Sequence, residues 1–212
     1  MSLRKFAAPL IVLALAAGCS REGTIAQGGI HAVRSACPVV AIPAGTGDIT
    51  LFDPADSRDA SAIDVTATMT NVTSTCNETG EQIVTDVAFE VFARRRDAGA
   101  ARSVTLPYFI TVVRGGESVI AKRVGQVTLD FAAGADRAST SGTASTSVSR
   151  AAATLPEAVR DRLTERRRAG EEGAAIDPLS DPAIRQALLA ATFEAMVGFQ
   201  LTEDQLRYNA TR

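Results

Sequence analysis

From residue 37 onward the chain alternates in twos. Ile63, Val65, Ala67 and Met69 are separated by Asp64, Thr66, Thr68 and Thr70, which is the period of a strand with one face buried and one solvated. Val87, Phe89, Val91 and Ala93 repeat it against Asp86, Ala88, Glu90 and Phe92. Residues 104–113 and 119–131 supply two more runs. Pro107 places the first of these at a sheet edge or on a bulge, because proline brings no N–H to a ladder. Turn residues separate the runs at 77–80, at Asp97-Ala98-Gly99 and at Gly115-Gly116. Short strands spaced this way predict a mainly β chain, an antiparallel sandwich over residues 37–149. Within it, residues 138–149, Ala-Ser-Thr-Ser-Gly-Thr-Ala-Ser-Thr-Ser-Val-Ser, suit either a polar last strand or a linker.

The period changes in the C-terminal segment, residues 150–212. Thr154-Leu155-Pro156-Glu157 reads as a capping box with proline in the first turn, so a helix is expected from there to residue 168. Its apolar stripe, Leu155, Val159 and Leu163, is narrow, and its contact with the body should be slight. A second helix is expected behind Asp181 and Pro182. Its residues 187–197, Ala-Leu-Leu-Ala-Ala-Thr-Phe-Glu-Ala-Met-Val, are apolar on most sides and so must be covered on most sides. Either this helix completes a core against the sandwich, or Leu189, Phe193, Met196 and Val197 form a surface that docks a partner protein or the membrane surface. Thr202-Glu203-Asp204-Gln205 opens a last short helix by the same capping logic.

The N-terminus has a different grammar. Arg4 and Lys5 precede an apolar run over residues 6–17 that ends in Leu15-Ala16-Ala17-Gly18-Cys19. The run is shorter than the roughly 20 residues a spanning helix needs. It resembles the export signal of bacterial lipoproteins, whose lipobox matches Leu15-Ala16-Ala17-Gly18-Cys19. That resemblance implies a signal peptide over residues 1–18, cleavage before Cys19 and acylation of its sulfur. With Ser20 rather than aspartate next, it also implies an outer-membrane location facing the periplasm. Residues 20–36 lack sustained periodicity and read as a tether, so 19–36 is expected to be a lipidated tether to the folded domain. An ordinary cleaved signal is the other reading, since Ala14-Leu15-Ala16 fits a small-x-small processing site.

Cleavage would remove two bases and no acid, leaving 194 residues with 20 basic and 24 acidic side chains. An acidic balance gives no general attraction to nucleic acid. Arg94-Arg95-Arg96 and Arg166-Arg167-Arg168 read as solvated faces. With Cys19 assigned to lipid, Cys37 and Cys76 remain, a pair expected to be disulfide-bonded in an exported chain. Closing that loop of about 40 residues would contribute roughly 3–4 kcal/mol in the chain-entropy model. A metal is the competing reading, with only His31, in the tether, as a further soft ligand.

Val65-Thr66-Ala67-Thr68-Met69-Thr70-Asn71-Val72-Thr73, Val87-Ala88-Phe89-Glu90-Val91-Phe92 and Gly115-Gly116-Glu117-Ser118 resemble the immunoglobulin-like domains of bacterial envelope proteins, including the FxLYD type. The resemblance covers residues 60–132. It implies a sandwich with adhesive or scaffolding relatives and brings no catalytic residues. Nothing in the residues themselves suggests an enzyme: the histidine lies in the tether, and Ser118 and Lys122 share a strand face without being neighbours. Asp53, Asp56 and Asp59 match no calcium loop and read as a solvated turn. The expectation is a lipid-anchored envelope protein with a structural or protein-interaction role and no cofactor. A periplasmic binding protein for a small or lipid ligand is the alternative, with its pocket at Phe193, Met196 and Val197.

Overall fold

The computed structural model describes residues 25–26, 29–30, 35–165, 170 and 176–211. Cys19, His31 and Arg166-Arg167-Arg168 lie outside them. The chain divides into two units, residues 1–34 with 164–175, and residues 35–163 with 176–212. In the first, within the expected tether, β1 (Ile25–Ala26) pairs antiparallel with β2 (Gly29–Ile30), Ile25 opposite Ile30.

The second unit is a β-sandwich. Its strands are β3 (Val39–Ala41), β4 (Asp48–Phe52), β5 (Ile63–Asn77), β6 (Gln82–Arg95), β7 (Arg102–Arg114), β8 (Ser118–Phe131), β9 (Arg137–Ser149) and β10 (Phe193–Phe199). One four-stranded sheet has the order β4-β5-β6-β9 and the other β3-β10-β7-β8. All neighbours are antiparallel except β3 and β10, which run parallel. The alternation at 63–70 and 87–93 became β5 and β6, with Val65, Ala67, Met69, Val87, Phe89 and Val91 in the core. Residues 138–149 are strand: β9 pairs with β6 in unbroken register from Gln82↔Ser149 to Arg94↔Arg137. Three successive strands, β4 to β6, meander within one sheet, whereas immunoglobulin domains divide their strands as A-B-E-D and C-F-G. What this chain has in common with them is the sandwich.

The C-terminal segment departs most from expectation. The second helix, α3 (Pro182–Ala190), starts where expected, with the Asp181 carboxylate accepting from the Ala183 amide at 2.8 Å. It stops at Ala190, and the rest of the expected helix is β10. Phe193, Ala195, Val197 and Phe199 point into the sandwich while Glu194, Met196 and Gly198 point out. The apolar run over 187–197 straddles a helix-strand junction, and each half alone carries its own period. Residues 150–212 are therefore no separate helical segment after a sandwich that ends at 149. They supply the strand that joins β3 to β7.

Smaller corrections have equally local causes. β7 is an inner strand, not an edge, and Pro107 is accommodated where it outruns β10. In an antiparallel strand the N–H and C=O of one residue face the same neighbour. The Pro107 carbonyl accepts from the Gln200 amide, just past the end of β10, so no ladder donor is lost. The bulge lies instead between β7 and β8, at Val112/Val113. Ahead of α2 (Glu157–Thr164) the Thr154 hydroxyl donates back to Arg150 of α1 (Arg150–Ala153), so the expected capping box is not made. The one before α4 (Glu203–Thr211) is made, Thr202 and Gln205 each holding the other's amide. No helix among the described residues is long and apolar enough to cross a membrane.

Candidate functional site

The two outer faces of the sandwich differ in chemistry. Across the β4-β5-β6-β9 sheet the outward positions are hydroxyls and charges. Thr66, Thr68 and Thr70 of β5 lead to Thr73 and Thr75 past a bulge at Asn71, whose φ is +49°. Asp86 and Glu90 of β6 lie between these and Ser145 and Ser141 of β9, and Arg94 lies between Thr66 and Arg137. Many are paired: Thr68 donates to Asp48 at 2.6 Å, the Asn71 amide to Glu90, and Arg94 meets Asp136 at 3.3 Å. Phe92, half exposed, is the large apolar exception on this face.

Over the rows from Pro107 to Val113 the β3-β10-β7-β8 sheet turns a different face outward; beyond Pro107 it is polar too, Ser103 donating to Asp130 at 2.5 Å and Thr105 lying 3.0 Å from Thr128. Val113 of β7 lies between Glu194 of β10 and Val119 of β8; Thr111 lies between Met196 and Lys122; Phe109 lies between Gly198 and Val124. β3 extends the rows with Val39 beside Glu194 and Ala41 beside Met196. Val39, Val119 and Val124 are 68, 63 and 59% exposed. Ile120, the extra residue at the bulge, is half exposed. Lys122 carries its ammonium 5.2 Å from the centroid of the Phe109 ring, a placement that keeps the charge in water while the stem covers apolar surface. Thr111 is buried among these side chains and donates to the Ala121 carbonyl at 2.7 Å. Isolated exposed apolar residues mean little; here several share one sheet face.

The expected disulfide is formed. Cys37 precedes β3 and Cys76 lies at the end of β5, so the bond ties together strands of the two sheets, across a separation of 39 residues. Glu78 lies against it, accepting from Ser35 at 2.7 Å with its carboxylate 2.9 Å from the Cys37 sulfur. Both sulfurs being bonded, neither is a thiolate ligand.

Of the four residues expected to form an interaction surface, Leu189 is half exposed on α3, Phe193 and Val197 are core, and Met196 belongs to the apolar face. The Arg94-Arg95-Arg96 run is not one solvated patch. Arg94 faces out to Asp136, while Arg95 is buried, donating to Ala135, Ala100 and Ala132 at 2.8, 2.7 and 2.9 Å and lying over Phe131. Ser118 and Lys122 are opposite Arg114 and Thr111, and the bulge between them puts the two on opposite faces. Asp53, Asp56 and Asp59 lie in the exposed loop after β4. The Asp64 carboxylate receives two bonds from Arg102, at 2.8 and 2.5 Å, and this pairing holds its pKa below the ordinary value.

No protein-family model matches the chain, and neither does any curated protein or solved structure.

Proposed function

We propose that this protein is a lipid-anchored component of the bacterial cell envelope, attached through Cys19 at the periplasmic face of the outer membrane, and that its sandwich holds a protein partner on the outer face of the β3-β10-β7-β8 sheet. The role is structural or interactive rather than catalytic. The observation that supports the docking half of this reading is the contrast between the faces. One is mostly hydroxyls and charges, several of them paired, with Phe92 as its exposed apolar residue. The other leaves Val39, Val119 and Val124 largely exposed beside Phe109, Val113 and Met196. The anchoring half rests on the Leu15-Ala16-Ala17-Gly18-Cys19 motif. Several acyl chains on one cysteine would suffice, since a single chain binds only reversibly.

The small-ligand reading required a pocket at Phe193, Met196 and Val197. Phe193 and Val197 are packed in the sandwich interior at 4 and 0% exposure, and this counts against it. The test is a photo-crosslinking amino acid at Val124 in intact cells. One recurring envelope protein, another copy of this chain included, is the expected product. Crosslinks confined within the chain would overturn the docking reading.

A further inference from the structure

We infer that the partner on this face is a second copy of the same chain, the two β3-β10-β7-β8 faces stacked about a two-fold axis running along β7. The inference rests on the reading of that face as a docking surface and adds the identity of what it docks.

The charges carry it. Between the rows of Pro107 and Val113 the outward side chains are apolar or uncharged, with two exceptions, Lys122 on β8 and Glu194 on β10. They are of opposite sign and flank β7 on opposite sides, Lys122 beside Thr111 and Glu194 beside Val113. A two-fold axis along β7 lays β8 of one copy over β10 of the other. Each Lys122 then stands over Met196 of the second copy, one row from its Glu194, and the relation holds twice because the interface is isologous. The same axis puts Val113 against Val113 and Phe109 against Phe109, so the apolar centre closes on itself as sheet faces do in a sandwich. A face with one cation, one anion and a methionine between them is self-complementary. A foreign partner would need an acid near Lys122 and a base near Glu194, and a second copy supplies each one row away.

The test is sedimentation of the full chain in mild detergent over a range of concentrations, for the wild type, Lys122→Glu, Glu194→Lys and the double variant. Each single change makes the face like-charged against itself and should weaken self-association by at least about tenfold. The double variant should associate as the wild type does, and a mixture of the two single variants should form a mixed dimer. Val124→Arg supplies an independent disruption at an exposed position, and thermal melts establish that each variant is folded. A wild type monomeric at ~100 μM, where a standard interface would be populated, overturns the inference, and so does a Lys122→Glu variant that associates undiminished. If the chain is monomeric while the Val124 crosslink captures another envelope protein, the second copy is excluded and the docking surface stands.

Discussion

Tyr108 of β7 lies across Gly125 of β8: a Cβ on residue 125 would come within 2.5 Å of the Tyr108 ring. The hydroxyl of that ring continues to the facing sheet and donates to the Thr143 carbonyl of β9 at 2.7 Å. Next to it the arrangement recurs, with Phe89 of β6 opposite Gly142 of β9 and a Cβ there 2.3 Å from the Phe89 ring. The two rings meet edge to face at 5.0 Å. Each edge strand on this side thus has one glycine covered by the aromatic residue of its inner neighbour, a device that pins register in antiparallel sheets. Tyr108 and Arg123 also occupy the β9 edge carbonyls of Thr143 and Ser145, which blunts an uncharged edge against pairing.

Gly142→Val and Gly125→Val should each destabilise the fold by about 1–3 kcal/mol through overpacking. Tyr108→Phe, which removes only the hydroxyl, should cost about 1 kcal/mol. Urea midpoints check both, and equal midpoints for Gly142→Val and the wild type would mean that Phe89 moves aside freely.

Arg95 is a buried cation satisfied by three carbonyls from the loops after β6 and β8. Arg95→Met leaves those acceptors without a donor, at roughly 1–3 kcal/mol for each that water does not reach. Arg95→Lys should recover part of the loss, since a point charge does not reproduce a planar fork. Thermal melts of the two variants should fall in the order wild type, lysine, methionine.

The Asp64–Arg102 pair sets a pH dependence. Its main cause is the hydrogen bonding from Arg102, and it lowers the folded-state pKa of Asp64 below the ordinary 3.8. A carboxyl with a depressed folded pKa stabilises above its unfolded value and loses that contribution as pH falls through the folded one. The stability difference between wild type and Asp64→Asn should therefore be level from pH 7 to about pH 5 and shrink below the unfolded value of 3.8. A difference that stays constant down to pH 2 would contradict this assignment.

Replacing Cys37 and Cys76 by serine should cost roughly 3–4 kcal/mol, given a closed loop of 39 residues. Reduction of the wild type should give a similar loss in midpoint. Cys19→Ser, by contrast, should leave the melt unchanged and move the protein from the membrane fraction to the soluble one. A variant that stays with the membrane would mean that acylated Cys19 is not the anchor.

The strands β5 and β6 were legible because each buries one parity of its residues, at 65–69 and 83–95, and β7 and β8 show the same alternation only toward 102–106 and 127–131. β9 was ambiguous because its inward residues, Ala138, Thr140, Gly142 and Ala144, are too small to mark a core side. β10 was hidden for the opposite reason: Leu188 and Leu189 belong to a helix and Phe193, Ala195 and Val197 to a strand, and together they imitate a helix apolar all round. The apolar outer face did leave a trace. Residues 108–113, Tyr-Phe-Ile-Thr-Val-Val, and Val119-Ile120-Ala121 are apolar at both parities, which is what a strand covered on both faces requires. That trace was overshadowed by the run at 187–197, where length and hydrophobicity were greater but the side chains are mostly internal.

The most direct test of the docking face is carbene footprinting of intact cells against the purified chain at high dilution. Val119 and Val124 should be protected in cells while Thr68 and Ser145, on the outer face of the other sheet, label equally in both. Equal labelling of Val119 and Val124 in the two settings would mean that the apolar face stays in water, and would contradict the docking reading.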